Sequence, residues 1–287
     1  MTMLRYEVVD VFTDRPYTGN PLAVVLDADG LDGAQMQSIA REFNLSETTF
    51  VLPPSDGADY RIRIFTTGAE LPFAGHPSVG TAVTLARLGI VKRGDLVQEC
   101  GAGMLPVMVA EGRATLTGGT PEVGEPYDPA ELLAALGLAP DDHAGPAPRL
   151  AGCGINFHYL SATPDAVARA VPRPAAVRAL GGTGVSVFSW DPERRTAHAR
   201  VFFDAIGITE DPATGSAALG LGVWLTASEL VPAGTTRYTV RQGAELRRPS
   251  TLECSVTAQQ DRVVRTTVAG GVVPIGSGQI AVPPFIG

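Results

Sequence analysis

Glu70-Leu-Pro-Phe-Ala-Gly-His76 and Glu210-Asp-Pro-Ala-Thr-Gly-Ser216 are the two stretches on which the reading of this chain turns. Aligned without a gap and extended to Leu85 and Leu225, they agree at Glu70/Glu210, Pro72/Pro212, Gly75/Gly215, Gly80/Gly220, Val83/Val223 and Leu85/Leu225. Self-similarity of this kind marks repeated supersecondary units, so the chain reads as a tandem of two related halves. Upstream of each stretch, Arg61-Ile-Arg63-Ile-Phe65 and His198-Ala-Arg200-Val-Phe202 alternate like strands. Each half therefore reads strand, Gly/Pro turn, helix, with helices expected to begin near His76 and Ser216.

A helix start leaves backbone N–H groups unpaired and carries a partial positive charge, which suits a carboxylate. A plainer reading is that each glycine only lets its helix lie close against a strand, since repeats can be purely architectural. The polar His76 and Ser216 at matched positions favour the anion site.

With 287 residues, the chain is long enough for two cores of ordinary domain size. At 45% hydrophobic and 18% charged it has a soluble, globular composition, and no uninterrupted apolar run is long enough to cross a bilayer. Met1-Thr-Met-Leu-Arg-Tyr-Glu7 lacks a basic stretch followed by an apolar one, so a cytoplasmic protein without a membrane partner is expected. A net charge of −8 argues against nucleic acid, whose binding needs a basic surface to displace counterions.

Cys100, Cys153 and Cys254 are odd in number and widely spaced, and His76, His143, His158 and His198 show no metal-ligand spacing. No metal is expected. Lys92 is the only lysine and stands in the turn-like Gly89-Ile-Val-Lys-Arg-Gly94, which disfavours Schiff-base or pyridoxal phosphate chemistry. Phosphate-binding and dinucleotide-binding glycine motifs are absent too, so no cofactor is expected.

Strands are expected at Tyr6 to Phe12, Leu22 to Leu26 and Thr48 to Leu52, with a helix from Leu31 to Asn44 that Asp32 can cap. In the second half the order recurs: a strand at Asn156 to Leu160, a helix from Pro164 to about Ala170, and a strand at Val185 to Trp190. Gly118 to Pro129 and Ala139 to Pro148 are rich in Gly, Pro and Asp and mark the junction. The expected halves are residues 1–122, joined by the returning segment 275–287, and residues 123–274. Late strands are expected at Arg237 to Arg241, Leu252 to Thr257, Val263 to Val268 and Val272 to Ala281, the last with a turn at Gly276 and Gly278. The fold class is α+β, two sheets each wrapped around a helix.

Glu47 stands in Ser46-Glu47-Thr48-Thr49, at a helix-to-strand junction that is otherwise apolar and hydroxylic. Desolvation there would raise its pKa toward that of a useful acid or base. An exposed loop glutamate is the bland alternative. His76 is equally readable as a satisfied buried histidine, and Asp211 and Ser216 as caps of the helix that follows.

In combination, Asn44-Leu-Ser-Glu-Thr-Thr-Phe50, Ile64-Phe-Thr66, Glu70-Leu-Pro-Phe-Ala-Gly-His-Pro77, Glu210-Asp-Pro-Ala-Thr-Gly-Ser216, Gln242-Gly243 and Arg248-Pro-Ser250 resemble the PhzF-like isomerases of phenazine biosynthesis. The resemblance covers nearly the whole chain. It implies the diaminopimelate-epimerase-like fold, two pseudo-symmetric domains that are each a barrel-like sheet around a central helix, with the active site between them. Epimerases of that fold carry a pair of cysteines at the two helix starts. Here those places hold His76 and Ser216, which disfavours cysteine-dependent racemisation.

What the resemblance implies instead is one carboxyl group, matched by Glu47, that takes a proton from one carbon and returns it to another. In the phenazine pathway the substrate is a dihydro-3-hydroxyanthranilate. By the same carry-over His76 and Asp211 assist proton transfer. The substrate, a small unsaturated amino or hydroxy carboxylic acid, is held around Ser46, Gly75, Pro77, Ser78, Thr214, Gly215 and Ser216. Relatives also imply a homodimer. Two other readings stand beside this one: a cysteine-independent epimerase or racemase using Glu47 with His76 or Asp211, and a non-catalytic protein that binds small acids.

Overall fold

The computed structural model describes residues 2–203 and 209–284. The chain divides into two compact units, Met1–Leu116 with Ala269–Gly287, and Thr117–Val268. The expected halves divide at 122/123 and 274/275 and these units at 116/117 and 268/269, and residues 285–287 of the returning segment fall outside the described residues.

In the first unit the order is β1 (Met3–Val11), β2 (Asn20–Val25), α1 (Gly33–Phe43), β3 (Glu47–Leu52), β4 (Tyr60–Phe65), β5 (Glu70–Leu71), α2 (Gly75–Arg87), β6 (Gly94–Cys100), β7 (Gly103–Ala110) and β8 (Arg113–Thr117). The second unit holds β9 (Pro121–Val123), α3 (Ala130–Ala135), β10 (Arg149–Cys153), β11 (Asn156–Ser161), α4 (Pro164–Arg169), α5 (Pro174–Ala179), β12 (Val185–Asp191), β13 (Thr196–Phe202), β14 (Glu210–Asp211), α6 (Gly215–Ala227), β15 (Gly234–Gln242) and β16 (Ser250–Gln259). A final strand, β17 (Arg262–Ala281), leaves the second unit and re-enters the first.

Strand pairing repeats the tandem. Parallel β2–β3 and β4–β6 alternate with antiparallel β1–β2, β3–β4 and β6–β7 in the first unit. Parallel β11–β12 and β13–β15 alternate with antiparallel β10–β11, β12–β13 and β15–β16 in the second. In the first unit β17 pairs with both β1 and β8, and this closes an eight-strand barrel of β1–β4, β6–β8 and β17.

The segments expected as two strands, at Val263 to Val268 and Val272 to Ala281, are this one continuous strand, and Gly276 and Gly278 do not form a turn. Gly278 stands opposite Tyr6, where a Cβ would come within 2.8 Å of the tyrosine hydroxyl. Glycine there makes room for a ring. A β-bulge between Val8 and Val9 adjusts the register beside it. The Gly/Pro-rich junction is also more structured than its composition implies, since it contains β9 and borders α3.

α2 and α6 are the matched helices of the repeat, each 13 residues long. Burial is continuous from Gly75 to Leu85 and from Gly215 to Thr226, which explains why neither segment shows a strongly polar face. Gly80 and Gly220 are glycines for a packing reason. A Cβ on Gly80 would lie 2.5 Å from Leu22 Cδ2, and one on Gly220 would lie 2.4 Å from the Tyr159 hydroxyl. Tyr159 and Tyr238 in turn donate to the carbonyls of Ala217 and Ala218, at 2.6 and 2.7 Å, pinning α6 from within its own unit.

The other shared positions are architectural too. Glu70 and Glu210 stand opposite Phe65 and Phe202 and accept two-pronged hydrogen bonds from Arg63 (2.7 and 2.7 Å) and Arg200 (2.8 and 2.8 Å). Each guanidinium also lies over the ring two residues on, 5.1 Å from Phe65 and 4.8 Å from Phe202. Pro72 and Pro212 are approached by Gly101 and Gly243, whose Cβ atoms would lie 2.8 Å from Pro72 Cα and 2.5 Å from the Pro212 carbonyl oxygen. Outside the strands, α1 covers Val25, Phe50 and Phe65, while α3, α4 and α5 cover Leu160, Val187 and Phe202.

Candidate active site

In the first unit, three turns of chain deliver the polar cluster. Asp32 and Gln35 form a capping box that starts α1, and Asn44, in the left-handed conformation at φ 51°, ends it by returning its N–H to Ala40. The chain then enters β3 at Glu47, opposite Leu22 of the parallel β2. Gly19, at φ 71° and too close to the Val11 carbonyl for any Cβ, turns the chain so that β2 opens with Asn20. His76 is contributed by the first turn of α2.

Asn20, Glu47 and His76 are all buried. His76 Nδ1 lies 3.2 Å from Asn20 Nδ2 and 3.5 Å from Glu47 Oε2. Burial pushes the imidazole down to about 3, and the backbone at Pro21 offsets this only in part, so His76 is neutral across the working range of an ordinary enzyme. Its Nε2 is buried and has no hydrogen-bond partner among the described residues. An orphaned polar atom of this kind is costly unless something else completes it.

Around this cluster, Ser46 is half-buried directly before β3, and Thr49 and Thr81 join β3 to α2 through hydroxyls 2.9 Å apart. Ser78, expected to bind substrate, donates its hydroxyl to the Ala74 carbonyl at 2.9 Å and accepts from Gln98, which in turn accepts from Tyr60. Its polar capacity is thus engaged inside its own unit. Ala74, the residue before α2, gives no side-chain cap, and Pro77 has no N–H, so Gly75 and His76 present the uncapped donors.

In the second unit, Asp211, Thr214 and Ser216 are buried. Thr214 donates its hydroxyl to Asp211 Oδ2 at 2.7 Å, and Gln242 of β15 braces the loop by donating to the Asp211 carbonyl at 2.7 Å and accepting from the Thr214 N–H at 3.1 Å. Thr214, the residue before α6, gives no side-chain cap, and the first turn of the helix contains no acidic residue. Ser216 lies within α6 and not at its N-cap. Backbone N–H groups of Gly215, Ser216 and Ala217 open α6.

The two units differ at the place of Glu47. Phe50 stands opposite Arg63 on β4, and Val187 stands opposite the matched Arg200 on β13. The same number of residues before Phe50 and Val187 come Glu47 and Gly184. A Cβ on Gly184 would lie 2.4 Å from the Phe202 carbonyl oxygen, so no acidic side chain fits that position. Sequence reasoning named Glu47, His76 and Asp211 but missed Asn20 and the bracing role of Gln242.

Residues 9–278 match the family described as phenazine biosynthesis-like protein. The chain belongs to that family. Among its relatives, the trans-2,3-dihydro-3-hydroxyanthranilate isomerase of Pseudomonas aeruginosa is 37% identical over 96% of this chain and 99% of its own length. An uncharacterised isomerase of Mesorhizobium japonicum is 36% identical over 98% and 99%. A crystal structure of a PhzF-family phenazine biosynthesis protein from Bacillus anthracis superposes with a TM-score of 0.88 at 28% identity, covering 98% of this chain and all of that one. The phenazine biosynthesis-like chain is accordingly a PhzF-like isomerase. A proline racemase from Agrobacterium radiobacter, at 14% identity and a TM-score of 0.70, shares the fold.

Among the described residues no three His, Cys, Asp or Glu side chains group closely enough to hold a metal ion, and no helix is long and apolar enough to cross a membrane. All three cysteines are buried, and burial pushes the Cys153 thiol up to about 11. None stands at the start of α2 or α6, where Gly75 and Gly215 are followed by His76 and Ser216.

Proposed function

We propose that this PhzF-like isomerase moves a proton and double bonds within a small unsaturated amino or hydroxy carboxylic acid, without metal or organic cofactor. The observation that carries the reading is the buried Glu47 carboxyl group 3.5 Å from the buried imidazole of His76, whose protonation burial disfavours. Glu47 takes a proton from an acidic C–H; the electron pair released shifts through the adjoining double bond, and the protonated Glu47 returns the proton to the far carbon of the conjugated system. Atoms and electrons balance within the substrate, so no oxidant or co-reactant is required. A neutral His76 leaves the glutamate free to change charge, whereas an imidazolium beside it would hold the carboxylate ionised.

Within the second unit, Asp211 is braced by Thr214 and Gln242, and the N–H groups that open α6, with Ser216, suit a carboxylate. Gly184 at the place matched to Glu47 favours one-base transfer over a two-base epimerisation built on the repeat. The dihydro-3-hydroxyanthranilate acted on by the relatives is the first substrate to try.

In deuterium oxide, the purified enzyme should convert trans-2,3-dihydro-3-hydroxyanthranilate with loss of its conjugated-diene absorbance. Solvent deuterium incorporated at a carbon that remains a stereocentre, with no change in the ultraviolet spectrum, would mean epimerisation instead. Activity should survive dialysis against a chelator, and Lys92→Ala should behave as wild type. Activity lost on dialysis and regained with a metal or pyridoxal phosphate would overturn the cofactor-independent reading. Ser216→Ala should raise KM several-fold at nearly constant kcat, since a helix start retains its backbone donors when one hydroxyl is removed. An unchanged KM would remove Ser216 from the binding site.

A further inference from the structure

Asp211, Thr214 and Gln242 form one buried polar network in the second unit. The Gln242 carboxamide can face only one way. Its Oε1 accepts from the Thr214 N–H at 3.1 Å while its Nε2 donates to the Asp211 carbonyl at 2.7 Å, and turning it over would set donor against donor and acceptor against acceptor. The second Nε2 proton goes to Thr214 Oγ1 at 3.1 Å. That hydroxyl therefore accepts from Gln242 and donates its own proton to Asp211 Oδ2, 2.7 Å away. Threonine is a common helix cap, and Thr214 stands in the N-cap place, yet its hydroxyl turns to Asp211 and not to the N–H groups of α6.

The repeat supplies an internal control. With Arg63 and Arg200 matched, the strand pairings and the aligned turns put Leu71, Ala74 and Cys100 of the first unit at the places of Asp211, Thr214 and Gln242. Gly101 closes on Pro72 as Gly243 closes on Pro212, and α2 starts directly after Ala74 as α6 starts directly after Thr214. The same strand, turn and helix thus form with none of the three polar groups. Burying them where leucine, alanine and cysteine serve the architecture costs desolvation, so the network is explained by what it does to the Asp211 carboxyl group.

We propose that Thr214 and Gln242 are positioning residues that act through Asp211: Gln242 sets the direction of the Thr214 hydroxyl, and that hydroxyl fixes Asp211 as a hydrogen-bond acceptor for a donor group of the bound acid. The inference rests on the reading of Asp211 as a substrate-site residue. Its test compares two probes on the full chain by calorimetry, with folding confirmed by near-ultraviolet circular dichroism. 3-Hydroxyanthranilate carries amino and hydroxyl donors beside its carboxylate, and benzoate carries the carboxylate alone. Thr214→Val keeps the shape of the side chain and removes the hydroxyl, so it should weaken 3-hydroxyanthranilate about 10-fold and leave benzoate within about twofold. Thr214→Ser restores the hydroxyl and should return the affinity to within about threefold of wild type. Gln242→Met should show the same selective loss. In an Asp211→Asn background Thr214→Val should add little, since the group it acts through is already altered.

Equal loss of both probes in a folded Thr214→Val would make the network a brace for the start of α6 and overturn the proposal. Additive effects of Thr214→Val and Asp211→Asn would overturn it too, as would a wild type that binds 3-hydroxyanthranilate no more tightly than benzoate. If Gln242→Met does not fold, the Thr214 variants and their combination with Asp211→Asn decide. Asp211→Asn separates the two levels. Selective loss there with none in Thr214→Val sinks this inference alone, whereas unchanged affinity in Asp211→Asn removes Asp211 from the site and the proposal with it.

Discussion

Glu47→Gln should abolish turnover while leaving the fold and the affinity for substrate nearly intact. The carboxamide keeps the size of the carboxyl group and its place at the start of β3, but it can neither accept nor return a proton. General acid–base catalysis contributes about 10²- to 10⁴-fold, and here one group performs both transfers, so the loss should reach or exceed the top of that range. Thermal unfolding should change little, because the substitution removes a buried charge rather than a packed volume. Equilibrium binding of an unreactive aromatic acid such as 3-hydroxyanthranilate should also persist. A purified variant with near-wild-type kcat would end the assignment of Glu47, and so would a variant that is inactive only because it no longer binds.

Arg200→Met should be the most destabilising of the changes considered, and far worse than Arg63→Met, although the two arginines occupy matched positions. Arg200 and Glu210 have side chains 9% and 11% exposed, against 28% and 42% for Arg63 and Glu70. Arg200 also donates to the carbonyls of Val167, Ala168 and Ala170 at 3.1, 3.1 and 2.8 Å, satisfying the end of α4, where helix carbonyls lack internal partners. Removing it strands a buried carboxylate, at a cost of about 3–5 kcal/mol. The exposed counterpart should cost no more than about 1 kcal/mol. Urea titrations of the two variants measure the difference, and equal midpoints would refute it. The double variant Arg200→Met/Glu210→Met should recover part of the loss, because replacing a buried pair together avoids the unpaired charge.

That contrast also shows which level of the molecule decides what. The tandem itself was legible in one dimension. Glu70/Glu210, Pro72/Pro212 and Gly80/Gly220 recur because a strand, a proline turn and a buried helix impose the same local demands in both halves, and local demands leave residues at fixed spacings. The capped helix α1 and the strand–turn–helix units follow from the same short-range rules. The motifs that suggested a PhzF-like isomerase are likewise local strings, and the comparisons bear that family out.

Long-range register was not legible. β17 was expected as two strands, since its glycines look like a turn until the pairing sets Gly278 against Tyr6. The plainer reading of Gly80 and Gly220 proved correct at those positions, and only the barrel interior, with Leu22 and Tyr159 pressed against the helices, reveals it. Asn20 carries no sign in the string Gly19-Asn20-Pro21 of its contact with His76, because the two are distant in sequence and meet only once β2 lies beside α2. Sequence by itself determined the repeat, the family and the residue types available for chemistry. The tertiary structure alone decided which glycines serve packing, which arginine is buried, and that Glu47, His76 and Asn20 share one buried cluster, because burial and proximity come from strands and helices far apart along the chain.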